Sequence, residues 1–218
     1  LAQALALEPE HLSCYELEAK PGTRFTHAWG VELDRQAEAM ERHFERVVER
    51  LGSAGYRWYE TANFCLDGVA ARGRDLRAQH NLAIWRGADY VGVGVGAVST
   101  VGPRRWRNAP SLGRYVRAGV AATERAPANG AVAGEAWPAR EVEHLDAATR
   151  ARERLLLGLR LDEPLAIDGL EDALDEAALR RMRQRGLVEP APRGGARTVR
   201  LTRRGRFLGG AVTAELLA

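Results

Sequence analysis

Apolar and polar residues are arranged in two different ways in the first third of the chain. From residue 34 to residue 54, large apolar side chains recur every three or four positions, which predicts an amphipathic helix with Asp34 as its N-cap. Residues 11–18 and 56–62 are short, partly apolar stretches that suit strands on either side of this helix. A strand, a helix and a second strand in this order predict a β-α-β unit, and therefore strands that pair in parallel.

The pattern after residue 62 predicts shorter elements. We expect a loop at 72–77, a short helix over 80–85, strands over 90–93, 97–101 and 104–107, and a helix from 111 to 117. Residues 146–218 then predict three helices, a β-turn-β unit around 192–195, and Leu201-Thr202-x-x-Gly205 before a terminal helix. This order of elements is typical of a winged-helix module.

These elements predict a protein of α/β class with two domains. Residues 121–139 are rich in alanine, glycine and proline, which predicts a linker between the domains. The first domain covers residues 1–120. The second, residues 140–218, is a small α+β winged-helix-like domain.

Composition and charge restrict the function classes. The net charge is only +3, and Lys20 is the single lysine among 32 basic residues. A basic excess this small does not predict nucleic acid as a partner. No stretch approaches the ~18 apolar residues of a membrane span, and the N-terminus does not have the pattern of a signal peptide. We therefore expect a cytoplasmic protein.

The start of the chain predicts a piece of a longer protein. Residues 1–7 begin with leucine and resemble the last turns of a helix that starts earlier. Cys14 and Cys65 are far apart and match no metal-site spacing. The sequence leaves a homodimer open.

One candidate site lies in the predicted helix over residues 80–85. His80, Asn81 and Trp85 place an imidazole, an amide and an indole within about one and a half helical turns. An imidazole can ligate heme iron, and an indole can stack on a flat macrocycle. The same spacing suits a histidine that caps local backbone while Trp85 fills the core. From the residues alone, both interpretations stay open.

A second candidate is Gly92-x-Gly94-x-Gly96, which follows a predicted strand. Alternating glycines let the backbone approach a ligand closely, and they suit tight packing of a strand against a helix equally well. The order of the glycines does not match the dinucleotide-binding fingerprint.

Two further groups of polar residues allow two interpretations each. Glu60 and Asn63, at the end of a predicted strand, could hold the polar groups of a ligand or satisfy the backbone of the loop. Three arginines at the start of the last helix could face nucleic acid, and they also suit a solvated helix start: Arg203, Arg204 and Arg206.

Taken in order, the motifs resemble those of a known family. They are His11-Leu12-Ser13, Gly55-Tyr56-x-x-Tyr59-Glu60 with Asn63-Phe64, His80-Asn81-x-x-x-Trp85, Gly92 to Ser99, Arg105-Trp106-x-Asn108, Leu157-Gly158-Leu159-Arg160, and Leu201-Thr202-x-x-Gly205-Arg206. Each is weak alone, but the order resembles the C-terminal half of the oxygen-independent coproporphyrinogen-III oxidase-like radical-SAM proteins. The heme chaperone branch of that family is nearest.

The resemblance implies a fold, cofactors and a partner. Residues 1–120 would be the C-terminal part of a partial β/α barrel. S-adenosyl-L-methionine and a 4Fe-4S cluster would be cofactors of the full-length protein, with the cluster cysteines before residue 1. Heme or another tetrapyrrole would be the partner. The resemblance implies a heme site at His80, Asn81 and Trp85. It implies a pocket for S-adenosyl-L-methionine lined by Gly94, Gly96, Ala97 and Val98.

Two departures from the family pattern bear on function. Ile84 replaces a tyrosine of the chaperone motif, and Val98 replaces its histidine with an aliphatic residue, as in the oxidase branch. A heme chaperone-like role is the first expectation and a coproporphyrinogen-III oxidase the second. A winged-helix module that binds nucleic acid is the third. Because the cluster cysteines are absent, we expect this chain alone to be inactive as an enzyme.

Overall fold

The computed structural model describes residues 1–15, 20–125, 141–191 and 194–218. Three predicted features lie wholly or partly outside these residues: the end of the first predicted strand at 16–18, residues 126–139 of the linker predicted over 121–139, and part of the predicted turn at 192–193. Residues 121–125 of the predicted linker belong to a helix. The described residues have a mixed α/β fold with three small antiparallel sheets. None of their helices is both long enough and apolar enough to cross a membrane.

The first sheet contains β1 (His11–Ser13), β2 (Tyr56–Glu60) and β3 (Asn63–Leu66), preceded by the short helix α1 (Ala2–Leu5). Its order is β1-β3-β2, and both β1 and β2 are antiparallel to β3. The two predicted strands therefore run in the same direction, but the predicted parallel pairing between them is wrong. The chain reverses directly after β2, and β3 takes the place between the two strands.

Two helices connect β1 to β2. They are α2 (Arg24–Arg35) and α3 (Ala37–Ser53). The prediction of Asp34 as an N-cap is wrong, because Asp34 lies in the last turn of α2 and the chain bends at Gln36. Helix α3 packs against the sheet through a core of apolar and aromatic side chains, Val48, Leu51, Tyr56, Trp58 and Phe64.

The middle of the chain contains α4 (Gln79–Trp85), as predicted, and a second sheet. This sheet has the order β4-β5-β6, with the strands Val98–Val101, Arg104–Arg107 and Glu141–His144. The strand predicted over 90–93 does not form, and only Tyr90 makes a single bridge, to Thr100. Helix α5 (Leu112–Arg125) continues eight residues beyond its predicted end.

The last part of the chain folds around an apolar core. It contains helices α6 to α9 and a sheet of order β7-β9-β8. The helices are Ala147–Gly158, Glu176–Gln184, Arg203–Phe207 and Gly209–Leu216, and the strands are Leu165–Ala166, Val188–Pro190 and Thr198–Leu201. Among the described residues, sixteen buried side chains form the core, and all of them are apolar, among them Leu155, Ile167, Leu179, Val199 and Leu216. Their burial supplies the main driving force for folding this part.

The structure explains the Leu-Thr-x-x-Gly motif physically. Thr202 is the N-cap of α8, and its hydroxyl accepts a hydrogen bond from the Gly205 N–H at 3.0 Å. A Cβ at Gly205 would lie 1.9 Å from the carbonyl oxygen of Leu187. Residue 205 therefore has to be glycine for α8 to pack against the chain before β8.

A short ionic segment joins the last part of the chain to the first. Residues 160–163, which we call the junction segment, follow α6 directly. Asp162 accepts hydrogen bonds of 2.6 and 2.9 Å from Arg57, and Glu163 accepts hydrogen bonds from Arg77 and Arg86. Arg160 binds Glu60. Apart from the exposed Arg86–Glu163 pair, these contacts are partly buried, so water screens them less than it screens surface ion pairs.

Candidate functional site

Glu60 and Asn63 form a buried polar turn between β2 and β3. Glu60 is only 1% exposed. One of its carboxylate oxygens accepts hydrogen bonds from the Ala62 N–H at 3.1 Å and the Asn63 amide at 2.6 Å. The other accepts from Arg160 Nε at 2.9 Å and Nη2 at 2.6 Å. The side-chain carbonyl oxygen of Asn63 accepts a hydrogen bond from the Ser13 hydroxyl at 2.6 Å. Of the two interpretations of Glu60 and Asn63, these contacts fit the structural one.

Arg160 connects this turn to the first candidate site. Its guanidinium lies 4.4 Å from the ring centroid of Trp85, which is a cation–π contact. Trp85 is half-buried and packs against the core formed by Tyr59, Cys65 and Leu161. Its indole nitrogen is buried and has no hydrogen-bond acceptor. One face of the indole is therefore already occupied by an arginine.

Helix α4 presents His80 on its outer side. Leu82 is buried in the core, Asn81 is half-buried and His80 is exposed. The start of the helix is fixed by Tyr59, whose hydroxyl accepts a hydrogen bond from the Ala78 N–H at 3.1 Å. The imidazole of His80 is thus accessible on a helix whose other side is anchored.

Tyr59 also has a half-buried partner that could not be predicted from the sequence. His11 Nε2 and the Tyr59 hydroxyl share a hydrogen bond of 2.8 Å. Burial lowers the pKa of His11 and raises the pKa of Tyr59. Near neutral pH both side chains are uncharged, and together they hold β1, β2 and the start of α4 in place.

The glycines of the second candidate site belong to a tightly bonded loop. Gly94 and Gly96 have φ angles of +115° and +69°, which favour glycine. Their N–H groups donate to the Tyr115 hydroxyl at 3.1 Å and to the Ala109 carbonyl at 3.1 Å. A Cβ at Gly92 would lie 2.2 Å from the Val98 carbonyl oxygen. The packing role of these glycines is thus evident in the structure.

Asn108 is the centre of this loop. Its side-chain amide donates to the carbonyls of Gly92 at 3.1 Å and Gly94 at 3.0 Å, while its own N–H donates to Ala97 at 2.8 Å. Its side-chain oxygen is buried without a donor. Val98, the first residue of β4, is half-buried and pairs with Arg107, the residue before Asn108.

The predicted site residues therefore fall into two groups with different neighbours. His80, Asn81 and Trp85 lie on α4, next to the junction segment, and Gly94, Gly96, Ala97 and Val98 lie in the loop held by Asn108. The role of Arg160 could not be predicted from the sequence, because its partners Glu60 and Trp85 are far from it along the chain.

The three arginines at the start of α8 do not form one outer surface. Arg203 and Arg204 are exposed, but Arg206 turns inward and lies 3.8 Å from the ring centroid of Trp58. Burial lowers the pKa of Arg206 to about 10. Nucleic-acid binding by three neighbouring guanidinium groups is thus not supported.

The chain does not provide a site for an iron–sulfur cluster. Such a cluster is held by thiolates, usually four, and this sequence has two cysteines. Both are free, and burial raises the pKa of each thiol. Among the described residues, no group of three or more histidine, cysteine, aspartate or glutamate side chains could hold a metal ion.

Comparison with known proteins gives relatives over most of the chain. It is 31% identical over 210 residues to the heme chaperone HemW of Mycobacterium tuberculosis, covering 95% of this chain and 47% of that relative. It is 39% identical over 97 residues to HemW of Escherichia coli, covering 44% of this chain and 23% of that relative. The chain thus spans at most about half the length of these relatives. No family model matches it.

A solved structure shares the fold. Coproporphyrinogen III oxidase (HemN) from Escherichia coli, described as a radical SAM enzyme, matches with a TM-score of 0.61 and 16% identity over 98% of this chain and 49% of that protein. This match confirms the predicted fold class. The chain is therefore related to the oxygen-independent coproporphyrinogen-III oxidase-like family, with heme chaperones HemW among its relatives, as its motifs predicted.

Proposed function

We propose that this chain is part of a heme chaperone and that α4 carries its heme contact. The observation that supports this most directly is the exposed imidazole of His80 on a helix anchored by buried Leu82 and by Tyr59. The similarity to proteins named heme chaperone HemW gives the ligand class. In this proposal the His80 imidazole would ligate the heme iron, which requires its neutral form.

Trp85 would offer the macrocycle less stacking surface than an indole with two open faces. Arg160 covers one face of its indole, so a macrocycle could use only the other face or its edge. Asn81, half-buried on the same helix, would offer an amide to a polar substituent of the ring.

We propose further that Gly94, Gly96, Ala97 and Val98 border the S-adenosyl-L-methionine pocket of the full-length protein. Since the Gly94 and Gly96 N–H groups already donate within the loop, the contact would use the apolar side chains of Ala97 and Val98. The buried Asn108 oxygen without a donor is a free acceptor beside this loop. When bound, S-adenosyl-L-methionine would supply radical chemistry, and the loop's own contribution is a rigid wall.

A heme titration tests the role of His80. Hemin added to the purified chain should shift the Soret band, and His80→Ala should weaken binding by at least about tenfold because the axial ligand is lost. His43→Ala is the matched control, since His43 is an exposed histidine on α3. An unchanged Soret titration in His80→Ala, or an equal loss in His43→Ala, would contradict the proposal.

A second candidate function is the oxidase. The aliphatic Val98 and the fold shared with HemN favour it. It would require the cluster segment of a longer protein, so the test is decarboxylation of coproporphyrinogen by full-length protein with S-adenosyl-L-methionine and a reductant. Product formation would favour the oxidase over the chaperone.

A further inference from the structure

A cavity of about 540 Å³ lies between the first sheet and the last two helices. The end of β1, the turn after β2, helices α3 and α6, strand β9 and helices α8 and α9 all contribute to its wall. The large apolar side chains of the wall are Phe44, Leu156, Leu159, Leu201 and Phe207. The volume and this lining are typical of pockets that hold a small molecule with an apolar body.

The charge of the wall is of one sign. Among the described residues that line the cavity, the charged ones are Arg160 and Arg206, and none carries a carboxylate. Arg160 is already paired with Glu60. Thr61 and Thr213 add hydroxyl groups. A wall of this kind favours an anionic ligand over a neutral or cationic one.

Arg206 is the less satisfied of the two cations. Its Nη1 donates to the Trp58 carbonyl at 2.6 Å, but its Nη2 is buried and has no acceptor. Among the described residues, no carboxylate lies within 4.0 Å of its guanidinium. A buried charged group with an unpaired donor is unfavourable, and an anion in the cavity beside the same guanidinium would offset part of that cost.

The start of α9 leaves room in the same cavity. Gly209 and Gly210 line it, and a Cβ built on Gly210 has no heavy atom within 4 Å. A larger side chain at residue 210 can therefore enter the cavity without a clash at its first atom. A substitution at this position of the wall leaves both arginines in the chain.

We propose that this cavity binds a small molecule with an apolar body and a carboxylate group, with the carboxylate directed toward Arg206. The inference rests on the proposed function for the choice of probe, because a tetrapyrrole with carboxylate side chains has this chemistry. The cavity is bordered by Arg160, which also covers Trp85, so it lies next to the helix that presents His80.

The test compares protoporphyrin IX, a dicarboxylic acid, with its dimethyl ester, which has the same ring and no carboxylate. Porphyrin fluorescence reports binding to the purified chain. We expect the diacid to bind at least about tenfold more tightly than the ester, and Arg206→Met to remove about that factor for the diacid only. Equal affinity for acid and ester, or unchanged diacid affinity in a folded Arg206→Met variant, would overturn the proposal.

A second variant tests the cavity without a change at Arg206. This matters because the Arg206 guanidinium also contacts Trp58, so that Arg206→Met could disturb the fold. Gly210→Leu should reduce binding of both porphyrins by filling the cavity, whereas Gly52→Leu should not. Gly52 is an exposed glycine of α3 with open space at its Cβ. If the Gly210→Leu variant binds protoporphyrin IX with the same affinity as the unmodified chain, the ligand lies elsewhere and the proposal is overturned.

The two proposals fail separately in these measurements. Protoporphyrin IX contains no iron, so His80→Ala should leave its affinity unchanged if the cavity is the site. Loss of the heme response in that variant together with retained protoporphyrin binding supports both proposals. A heme response that persists in His80→Ala contradicts the role of His80 and leaves the cavity result standing on its own.

Discussion

The turn at Glu60 and Asn63 and helix α4 with His80 differ in what surrounds their polar groups. Both segments stand out in the sequence because polar residues follow or precede aromatic ones. In the turn, the Glu60 carboxylate is 1% exposed and accepts four hydrogen bonds from within the chain. In α4, the His80 imidazole is exposed. Motifs that look alike in the sequence thus contain residues that hold the fold together and residues whose side chains are exposed.

The largest effect should come from breaking the buried turn. In Glu60→Gln, an NH₂ group faces either the Ala62 and Asn63 donors or the Arg160 guanidinium, so buried donors lose their acceptor. We expect a loss of about 2–3 kcal/mol in the free energy of unfolding, measured with urea. Glu189→Gln is the control, because Glu189 pairs with Arg200 at the surface and should lose less than about 1 kcal/mol. Equal losses in the two variants would mean that the buried contacts of Glu60 stabilise the fold no more than a surface ion pair does.

The loop that contains Gly92, Gly94 and Gly96 gives a second test, with an effect of intermediate size. It again compares a tightly packed position with an exposed one. Gly92→Ala places a Cβ 2.2 Å from the Val98 carbonyl oxygen, so the loop must shift. We expect a loss of about 1–3 kcal/mol, seen as a lower melting temperature. Gly52→Ala, in an exposed turn of α3 with open space at its Cβ, should instead stabilise by about 0.5–1 kcal/mol. A neutral Gly92→Ala would count against tight packing in this loop.

The smallest effect concerns pH and His11. Because burial lowers its pKa below the usual 6.5, the folded chain binds this proton less readily than the unfolded chain. The stability that His11 contributes is therefore complete above pH 6.5 and decreases as the pH falls below that value. His11→Asn should flatten the pH dependence of unfolding between pH 7.5 and 5.5. His43→Asn, at an exposed position, should leave the slope unchanged. If the slope also flattens in that variant, the pH dependence cannot be assigned to His11.

Local elements of the fold could be predicted where one physical rule dominates. Helix α6 begins after Asp146, whose carboxylate accepts from the Thr149 N–H at 2.7 Å, as an N-cap should. Helix α4 and strand β5 also lie where the pattern of residues placed them. Helix α2 was not predicted, and its Trp29 and Val31 are 57% and 69% exposed.

Pairing and long-range contacts could not be predicted in the same way. The order of a strand, a helix and a strand gave the correct relative direction of β1 and β2, but nothing local shows that β3 would lie between them. The candidate residues on α4 were identified from spacing and resemblance. Arg160, which covers Trp85 and borders the cavity, is recognised only once the chain is folded, because it is 100 positions from Glu60.

The placement of β3 also sets the sequence of events by which the first sheet can assemble. Strands β2 and β3 are joined by two residues, so this hairpin closes with little loss of chain entropy. Among the described residues, β1 pairs with β3 and with no other strand, so within this chain it joins the sheet by docking onto the hairpin. That docking closes the longer loop, the one through α2 and α3, and therefore costs more chain entropy than the hairpin turn.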